Sequence, residues 1–276
     1  AGAIVPGGEE ILSASKGAID AGENSHAYLE GLAKVFAPLS QVSGGLTAVQ
    51  YAFWLQAGGI DIIRDIYAKY LPSVYFVTTV PQLGEVWMHS SKPIETVDDL
   101  GHLKTRATGD CAKILDRMGV PTVYMPSGEV YESMQRGVID AFESNCFWVD
   151  WGRGFAEVAQ YHYVSYSRAP MTEGTMCVYR PRWEELTPDL QQIVIHSFTV
   201  EQLKWLAESI EMEQEYMQKF IDYGCTVEPL AAEVDAAYIA QARAYYDEIR
   251  AGDPEYDKVL EHMFAFKDKC EALGIG

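Results

Sequence analysis

The sequence predicts an α/β protein of two lobes, and three observations support that fold class. Predicted strands and helices alternate along the chain as far as about residue 180. One stretch of eighteen residues occurs twice, 120 positions apart. The chain has 276 residues, which is more than a single hydrophobic core usually organises. Two similar α/β units with a binding cleft between them account for all three observations.

The repeated stretch covers residues 6–23 and 126–143, which align without a gap and are identical at nine of eighteen positions. Each copy begins at a proline-containing turn, continues as a short helix that stops at a glycine, and ends in a strand. In the second copy the strand leads into Glu143, Ser144 and Asn145. Ligands of open α/β sheets bind beyond the carboxyl ends of strands, so these three residues are candidate ligand contacts.

Periodicity and composition predict the other elements before residue 180. Apolar residues at helical spacing predict helices in residues 28–35, 60–70 and 110–118 and a helical turn in 155–160. β-Branched and aromatic residues predict strands in residues 74–80, 83–89, 103–106, 123–125, 138–142, 161–167 and 175–179. Residues 41–47 are rich in glycine and serine and predict a loop. The strand at 83–89 is expected to pass between the lobes.

The last third of the chain is predicted to be helical. Thr187 suits an N-cap, Pro188 suits the first helical position, and Gly224 suits the residue after the helix. A helix between these signals is about 50 Å long at 1.5 Å per residue, which is longer than one lobe needs. A short strand at 225–228 and helices at 231–251 and 257–273 follow.

These elements divide the chain into three parts. We expect residues 1–85 to form an N-terminal lobe that is incomplete at its start. Residues 86–185 form a second lobe. Residues 186–276 form a helical segment that returns across both lobes.

Composition excludes several classes of function. Forty acidic residues against 21 basic ones give a net charge of −19, which opposes nucleic-acid binding because that affinity comes largely from neutralised phosphates. No run of 18 apolar residues predicts a membrane span. Five cysteines without a C-x-x-C pair predict neither a zinc site nor a thioredoxin-like motif. Because no basic, apolar leader is present, we expect either a removed signal peptide or a missing start.

Arg106 is the strongest candidate for ligand chemistry, because no pattern of a nucleotide site or an activated nucleophile occurs. It ends a predicted strand in an acidic chain, and its planar guanidinium can hold a carboxylate through two parallel hydrogen bonds. The alternative is an ion pair with a nearby acidic residue. The aromatic residues Phe142, Phe147, Trp148 and Trp151 are pocket candidates or, alternatively, core residues.

Several motifs together resemble the solute-binding proteins of TRAP (tripartite ATP-independent periplasmic) transporters. The motifs are Lys92-Pro93-Ile94, Asp98-Asp99-Leu100, Leu103-Lys104-Thr105-Arg106, Met125-Pro126, Gly128-Glu129-Val130-Tyr131 and Gln135-Arg136-Gly137-Val138-Ile139-Asp140. The resemblance covers nearly the whole chain. It implies a two-lobed periplasmic binding fold, similar to type II, with a long helix spanning both lobes. It also implies that the first strand and helix of that fold precede residue 1.

The resemblance also implies a ligand and its contacts. In this family the strand arginine, here Arg106, clamps the carboxylate of a small organic acid. Residues 82–94 are most similar to the branch that binds 2-oxo acids and other monocarboxylates, in which the residues matching Gln82 and Glu143 can hold sodium or calcium beside the ligand. The remaining predicted ligand contacts of this chain are Ser144, Asn145, Trp87 and Trp148.

One departure from the family pattern concerns the residue after Glu143. Most members have asparagine there and the oxo-acid branch has tryptophan, whereas this chain has Ser144 followed by Asn145. The smaller serine could admit a bulkier acid. The departure also favours a site without a cation, and therefore without any cofactor.

We therefore predict a secreted, periplasmic binding protein, not an enzyme, that delivers a small carboxylate to a TRAP membrane permease. The first alternative is an α/β enzyme that acts on a small acid and uses Arg106 as a substrate clamp. A structural module without a small ligand is the other. The apolar helix at 257–273 predicts either a homodimer interface or a helix that folds back on its own lobe.

Overall fold

The computed structural model describes residues 3–275, so Ala1, Gly2 and Gly276 of the predicted segments lie outside the described residues. The strands are β1 (Ala21–Asn24), β2 (Val74–Leu83), β3 (Met88–Ser90), β4 (Thr105–Arg106), β5 (Thr122–Val123), β6 (Ala141–Phe142), β7 (Tyr161–Val164), β8 (Met171–Tyr179) and β9 (Thr226–Pro229). The α-helices are α1 (Glu10–Ser15), α2 (Ala37–Ser40), α3 (Ala48–Trp54), α4 (Ile60–Tyr70), α5 (Val97–Gly101), α6 (Gly109–Arg117), α7 (Val130–Gln135), α8 (Phe147–Gly152), α9 (Arg180–Glu184), α10 (Pro188–Tyr223), α11 (Ala232–Arg250) and α12 (Pro254–Ala272). The 3-10 turns are His26–Leu29, Lys34–Phe36, Ser127–Glu129 and Phe155–Glu157, and a π turn spans Leu55–Gly59.

The strands form two sheets, and each sheet organises one lobe. The smaller sheet has the order β1-β8-β2 and the larger one β5-β4-β6-β3-β7-β9. β2 and β8 pair antiparallel over their length, and the chain connects them directly to β3 and β7 of the larger sheet. Two large hydrophobic clusters, one around Trp54 and one around Trp87, fill separate cores. The two-lobed α/β fold is therefore confirmed, and the lobe limits at residues 85 and 185 stay predictions.

The long helix α10 begins and ends where the sequence predicts. Pro188 is its first residue, and Gly224 follows it with a φ of 105°, a left-handed conformation that glycine adopts readily. Thr187 is the N-cap residue, as predicted, but its hydroxyl donates to Asp189 and accepts no hydrogen bond from the first turn of the helix. α10 packs against β2 of the smaller sheet and against α8 of the other lobe, which confirms that it spans both lobes.

Two predicted elements are wrong in detail. Residues 28–35 form no α-helix; they contain parts of two 3-10 turns, separated at Ala33, where the backbone is extended. Residues 83–89 form no single strand, because successive amides there bond to three different segments: Glu85 to Ala169, Val86 to Asn145 and Trp87 to Tyr163. Residues 84–87 therefore form a linker that bonds to several parts of the second lobe, directly after β2 of the first lobe ends. The unpredicted helix α3 is capped by Thr47 and Gln50.

Both copies of the repeated stretch adopt the same local structure. α1 is followed by Gly17, with a φ of 70°, and β1, whereas α7 is followed by Gly137, with a φ of 66°, and β6. Each short strand pairs antiparallel with a neighbour, β1 with β8 and β6 with β3. β6 also pairs parallel with β4, and this second neighbour distinguishes the two copies.

The C-terminal helix α12 folds back on its own chain. Its apolar residues Val259, Leu260 and Met263 are buried in the two large cores, so they offer no exposed surface to a second copy. The five cysteines are buried and form no disulfide within residues 3–275. In the same part of the chain, no helix has the length and apolar character that crossing a membrane requires.

Candidate functional site

The candidate site lies at the carboxyl edge of the larger sheet. Arg106 is the last residue of β4, and Glu143 directly follows the neighbouring parallel strand β6. The Glu143 amide donates to the Arg106 carbonyl oxygen at 3.1 Å. Because parallel strands end at the same edge, both side chains leave the sheet together, where ligands of open α/β sheets bind.

The Arg106 guanidinium is held in place but not fully used. Nε donates to the Met125 carbonyl oxygen at 3.2 Å, and Nη1 donates to the backbone oxygen and to Oε1 of Glu143, each at 2.9 Å. Nη2 donates to no protein atom within residues 3–275, although Arg106 is only 8% exposed. Both sequence-based alternatives therefore describe part of the geometry: an ion pair exists, and one terminal nitrogen is available to an anion.

Glu143 lies between two arginines. Its Oε1 also accepts from the Thr108 hydroxyl at 2.9 Å, and its Oε2 accepts from Arg168 Nη1 at 3.3 Å. Glu143 is 5% exposed and Arg168 is 2% exposed. Pairing and hydrogen bonds of this kind offset the cost of burying a carboxylate.

Arg168 and Glu85 complete a buried chain of four charges that the sequence analysis missed. Arg168 donates through Nε to the Trp87 carbonyl and through Nη2 to the Val86 carbonyl, at 3.0 and 2.8 Å. Its Nη1 lies 2.7 Å from Glu85 Oε2. Burial raises the pKa of Glu85, Arg168 opposes the rise and Glu143 adds to it, and together they place this pKa at about 7. With Arg106 and Glu143 the chain contains two positive and two negative groups and is neutral when all four are ionised.

Ser144 and Asn145 are anchored beneath the site by Asp150. The Ser144 hydroxyl donates to Asp150 Oδ1 at 2.7 Å, and the Asn145 amide donates to Oδ2 at 2.9 Å. His89 bonds the same Oδ2 at 3.0 Å and contacts His162 at 2.7 Å through its other ring nitrogen. Burial, and then His89, lower the pKa of His162 to about 2, so this ring is neutral. The group fixes the loop that carries Glu143, and the Ser144 hydroxyl is already engaged by it.

The other predicted contacts are dispersed. Trp87 is completely buried in the second core and packs edge-on against Tyr238, so it cannot touch a ligand in this conformation. Gln82 is half-buried near the end of β2, and no hydrogen bond joins it to Glu143. Trp148 is half-buried on α8 and packs edge-on against Trp205 of α10. The structure thus brings together Arg106 and Glu143 but not the two tryptophans.

A cavity of about 560 Å³ opens between the lobes. The start of α3, the end of β2 and the linker after it, the loop after β7 and the middle of α10 form its walls. Glu85 belongs to this wall, so the charge chain reaches from Arg106 to the cavity. Arg106 and Glu143 themselves are not lining residues.

The donors around Glu143 leave little place for a metal ion. Both carboxylate oxygens accept from protein donors, two of them guanidinium groups. Within residues 3–275, no three side chains from His, Cys, Asp and Glu are grouped so that they could hold a metal. Calcium and sodium prefer several oxygen ligands, and the positive charges of Arg106 and Arg168 would repel either ion. In this conformation the residues do not fit a cation.

Comparisons with known proteins agree on one family. The model of the bacterial extracellular solute-binding proteins, family 7, matches residues 1–253. A monocarboxylate 2-oxoacid-binding periplasmic protein of Nostoc sp. is 28% identical over 274 residues, which are 99% of this chain and 74% of the relative.

Two crystal structures have the same fold. A TRAP transporter solute-binding protein from Bordetella bronchiseptica, a mixed-occupancy dimer with copurified calcium and picolinate in one site, has a TM-score of 0.83 and 24% identity over 100% of this chain and 82% of its own. A TRAP periplasmic solute-binding protein from Colwellia psychrerythraea, with bound calcium and pyruvate, has a TM-score of 0.82 and 22% identity over 95% and 80%. The family resemblance noted in the sequence is confirmed.

Proposed function

The chain belongs to the bacterial extracellular solute-binding proteins of family 7, and from that premise we propose that it captures a small organic carboxylate between its lobes. The observation that carries the proposal is Nη2 of Arg106 at the carboxyl edge of the larger sheet, which donates to no atom of residues 3–275. A ligand carboxylate that reaches this nitrogen gains a charge-assisted hydrogen bond, one of the stronger polar contacts in a protein. The name of the Nostoc relative supports a monocarboxylate, such as a 2-oxo acid.

Each candidate residue then has a distinct role. Arg106 binds the carboxylate, and Glu143 and Thr108 orient Arg106. Asn145 contributes its half-buried side-chain amide, and Gln82 is the candidate contact from β2. Ser144 acts on the loop through Asp150. Trp148 stays a candidate contact that needs a change of lobe orientation. Trp87 is the weakest candidate, because its ring is fully buried in this conformation.

Capture is proposed to proceed without a metal ion. The Colwellia relative holds calcium with its pyruvate, but in this chain Arg106 and Arg168 already neutralise Glu143 and Glu85. A bound cation is therefore not needed to screen Glu143 from an anionic ligand. Neutralisation by the second arginine has the same electrostatic effect.

The ligand is proposed to be delivered unchanged to a TRAP membrane permease from the periplasmic side of the membrane. Binding without turnover is what distinguishes this proposal from an enzyme that acts on a small acid. A homodimer remains a prediction, and the dimeric Bordetella relative supports it.

The direct test is mass spectrometry of small molecules that denaturation releases from the purified protein, followed by calorimetric titration of the acid identified. We expect one organic monocarboxylate in near-stoichiometric amount, and its mass should be unchanged after long incubation with the protein. A released ligand without a carboxylate, or a product of altered mass, contradicts the proposal. Pyruvate and picolinate serve as defined probes if the protein purifies empty.

A further inference from the structure

A buried carboxylate lies directly behind the loop that carries Glu143. Asp150 of α8 is completely buried, as are His89 of β3 and His162 of β7. Asp150 Oδ2 bonds His89 Nε2 at 3.0 Å, and its Oδ1 lies 3.3 Å from Nη1 of the partly exposed Arg153. The hydrogen bonds of this group determine where its protons lie.

The first proton of His89 follows from the charge of Asp150. Burial raises the pKa of Asp150, but the hydrogen bond and the charge of His89, the Ser144 hydroxyl and the next amide together lower it below its usual value. An ionised carboxylate has no proton to donate. His89 therefore carries a proton on Nε2 and donates it to Asp150.

The contact between the two histidine rings places a second proton on His89. Nδ1 of His89 lies 2.7 Å from Nδ1 of His162, so one of these nitrogens donates and the other accepts. The neutral His162 ring carries a single proton, which the Ala159 carbonyl favours. Nε2 is the nitrogen available for that proton, because Nδ1 faces His89 and Nε2 has no hydrogen-bond partner among residues 3–275. His162 Nδ1 is then bare and accepts, and His89 donates from both ring nitrogens.

The surroundings of His89 favour the positive charge that two ring protons give it. Its ring stacks on Phe142, with centroids 4.7 Å apart and planes 13° from parallel, and an aromatic face attracts a cation. The buried Asp150 carboxylate needs a positive partner. Arg153 reaches it only at 3.3 Å, whereas His89 lies at 3.0 Å.

Asp150 holds the site loop at two points that lead to the arginines. The hydroxyl and the amide of the two residues after Glu143 donate to its two oxygens. The carbonyl of the second of them, Asn145, accepts from the Val86 amide at 3.0 Å, and the Val86 carbonyl accepts from Arg168 Nη2 at 2.8 Å. The carboxylate thus sets the position of Glu143 and of one acceptor of Arg168.

We propose that His89 is a buried imidazolium and that its ion pair with Asp150 positions the carboxylate site. The positive ring keeps Asp150 ionised and oriented, and Asp150 holds the loop after β6 so that Glu143 meets Arg106. With a neutral ring beside it, Asp150 would be a buried charge without its nearest partner, and the loop would lose a charged anchor. The effect on binding rests on the proposed carboxylate function, whereas the charge of His89 does not.

Nuclear magnetic resonance measures the charge directly, because the ¹⁵N chemical shift of a ring nitrogen depends on whether it carries a proton. The whole chain is used without ligand at pH 7.5, and the ring signals are assigned through each side chain to the backbone. We expect both ring nitrogens of His89 to be protonated and His162 to have one protonated and one bare nitrogen. A bare nitrogen on His89 overturns the proposal.

Asp150→Asn tests the pair from the other side. Asparagine has one acceptor oxygen, whereas the two oxygens of Asp150 accept from four groups. We expect His89 to lose its second proton in this variant, and hydrogen exchange at the Asn145 and Val86 amides to accelerate at least tenfold. A doubly protonated His89 in Asp150→Asn, or unchanged exchange at both amides, contradicts the ion pair.

Calorimetric titration with pyruvate separates positioning from general stability. Asp150→Asn should bind pyruvate at least tenfold more weakly than the parent protein. His26→Gln is the matched control, because His26 and Glu173 form an equally buried pair, packed against Tyr67 of the first core. This control should lose stability but bind pyruvate within threefold of the parent. Equal losses of affinity in the two variants overturn the positioning role.

A last arm separates the charge pair from the carboxylate function. The double variant His89→Gln, Asp150→Asn removes both charges and should bind pyruvate more tightly than His89→Gln alone, which leaves a buried carboxylate without its nearest partner. Equal or weaker binding by the double variant contradicts a charge pair. A parent protein that binds neither pyruvate nor picolinate contradicts the carboxylate function, whereas the protonation of His89 and the amide exchange still decide the ion pair.

Discussion

The two copies of the repeated stretch place a glutamate at the same position and give it opposite surroundings. Glu143 of the second copy is buried between two arginines and accepts a hydroxyl hydrogen bond. Glu23 of the first copy is exposed and has no basic partner within residues 3–275. Burial of part of its side chain raises the pKa of Glu23, and Glu173 and Glu10 raise it further. The repeated sequence thus determines the local backbone, whereas neighbouring strands determine the chemistry.

The source of the difference is the strand beside each copy. β6 has β4 on its parallel side, and β4 ends in Arg106. In the part of the chain that the structure describes, β1 pairs only with β8. Arg168 adds the second positive charge from the loop before β8. The charges that surround Glu143 therefore come from residues outside the repeat.

The largest expected effect is on the free energy of unfolding, and it tests the contrast between Glu143 and Glu23 directly. Glu143→Gln leaves Arg106 and Arg168 buried without one of their carboxylate partners and should cost about 3 kcal/mol of unfolding free energy. Glu23→Gln removes an exposed, unpaired charge and should change stability by less than about 0.5 kcal/mol. Urea unfolding of the two variants measures both values. Similar losses in the two would show that the glutamates are not in different environments.

The next effect concerns binding. Arg106→Ala should weaken binding of the carboxylate by roughly thirtyfold or more, because removing one partner of a desolvated charge pair costs about 2–5 kcal/mol. Arg182→Ala is the matched control, since Arg182 forms exposed pairs with Asp20 and Glu185, away from Arg106. Calorimetry measures both. An affinity of Arg106→Ala within threefold of the parent would rule out the clamp.

The charge chain also predicts a dependence of stability on pH. The pKa of Glu85 is raised from 4.5 to about 7, so the folded protein binds more protons than the unfolded chain between these values. Stability therefore falls as pH rises through this window, by at most about 3 kcal/mol from Glu85. Glu85→Gln cannot ionise and should reduce the fall between pH 4.5 and 7.5 in urea unfolding. Glu23→Gln, at an exposed site, should reduce it much less; the reverse order would contradict the assignment.

The sequence predicts a feature when the residues that determine it lie close together in the chain. The bounds of α10 depend on Pro188 and Gly224, which act within one turn of the helix, and Arg106 was identified from its position at a strand end. The Arg168–Glu85 pair was missed because its members are 83 positions apart in the sequence and only the tertiary fold joins them. A signal was present nevertheless: Arg168 also follows a predicted strand, in a chain with only 21 basic residues.

A smaller effect on stability is expected from the glycine that follows the helix in each copy of the repeat. Gly17 and Gly137 occupy equivalent positions with φ near +70°, where a side chain costs roughly 1–2 kcal/mol. A Cβ at Gly137 meets nothing within 4 Å, whereas one at Gly17 lies 3.1 Å from the Tyr179 ring. Both Gly→Ala variants should lose stability in urea unfolding, and Gly17→Ala should lose more. A greater loss at Gly137 would show that the two turns differ in a way the geometry does not explain.

The smallest expected effect is that of a cation on carboxylate binding. Glu143 already accepts from Arg106, Thr108 and Arg168, so sodium or calcium would have to displace a guanidinium group to reach it. Removing metal with a chelator and replacing sodium in the buffer should therefore change the affinity for pyruvate by less than threefold. Calorimetric titrations without either ion, then with each restored, measure this. A tenfold gain in affinity for pyruvate on adding one ion, abolished by Glu143→Gln, would instead mean that ligand binding moves Arg106 away and opens Glu143 to the ion. Glu23→Gln is the control: Glu23 has no arginine neighbours, so this variant should leave such a gain intact.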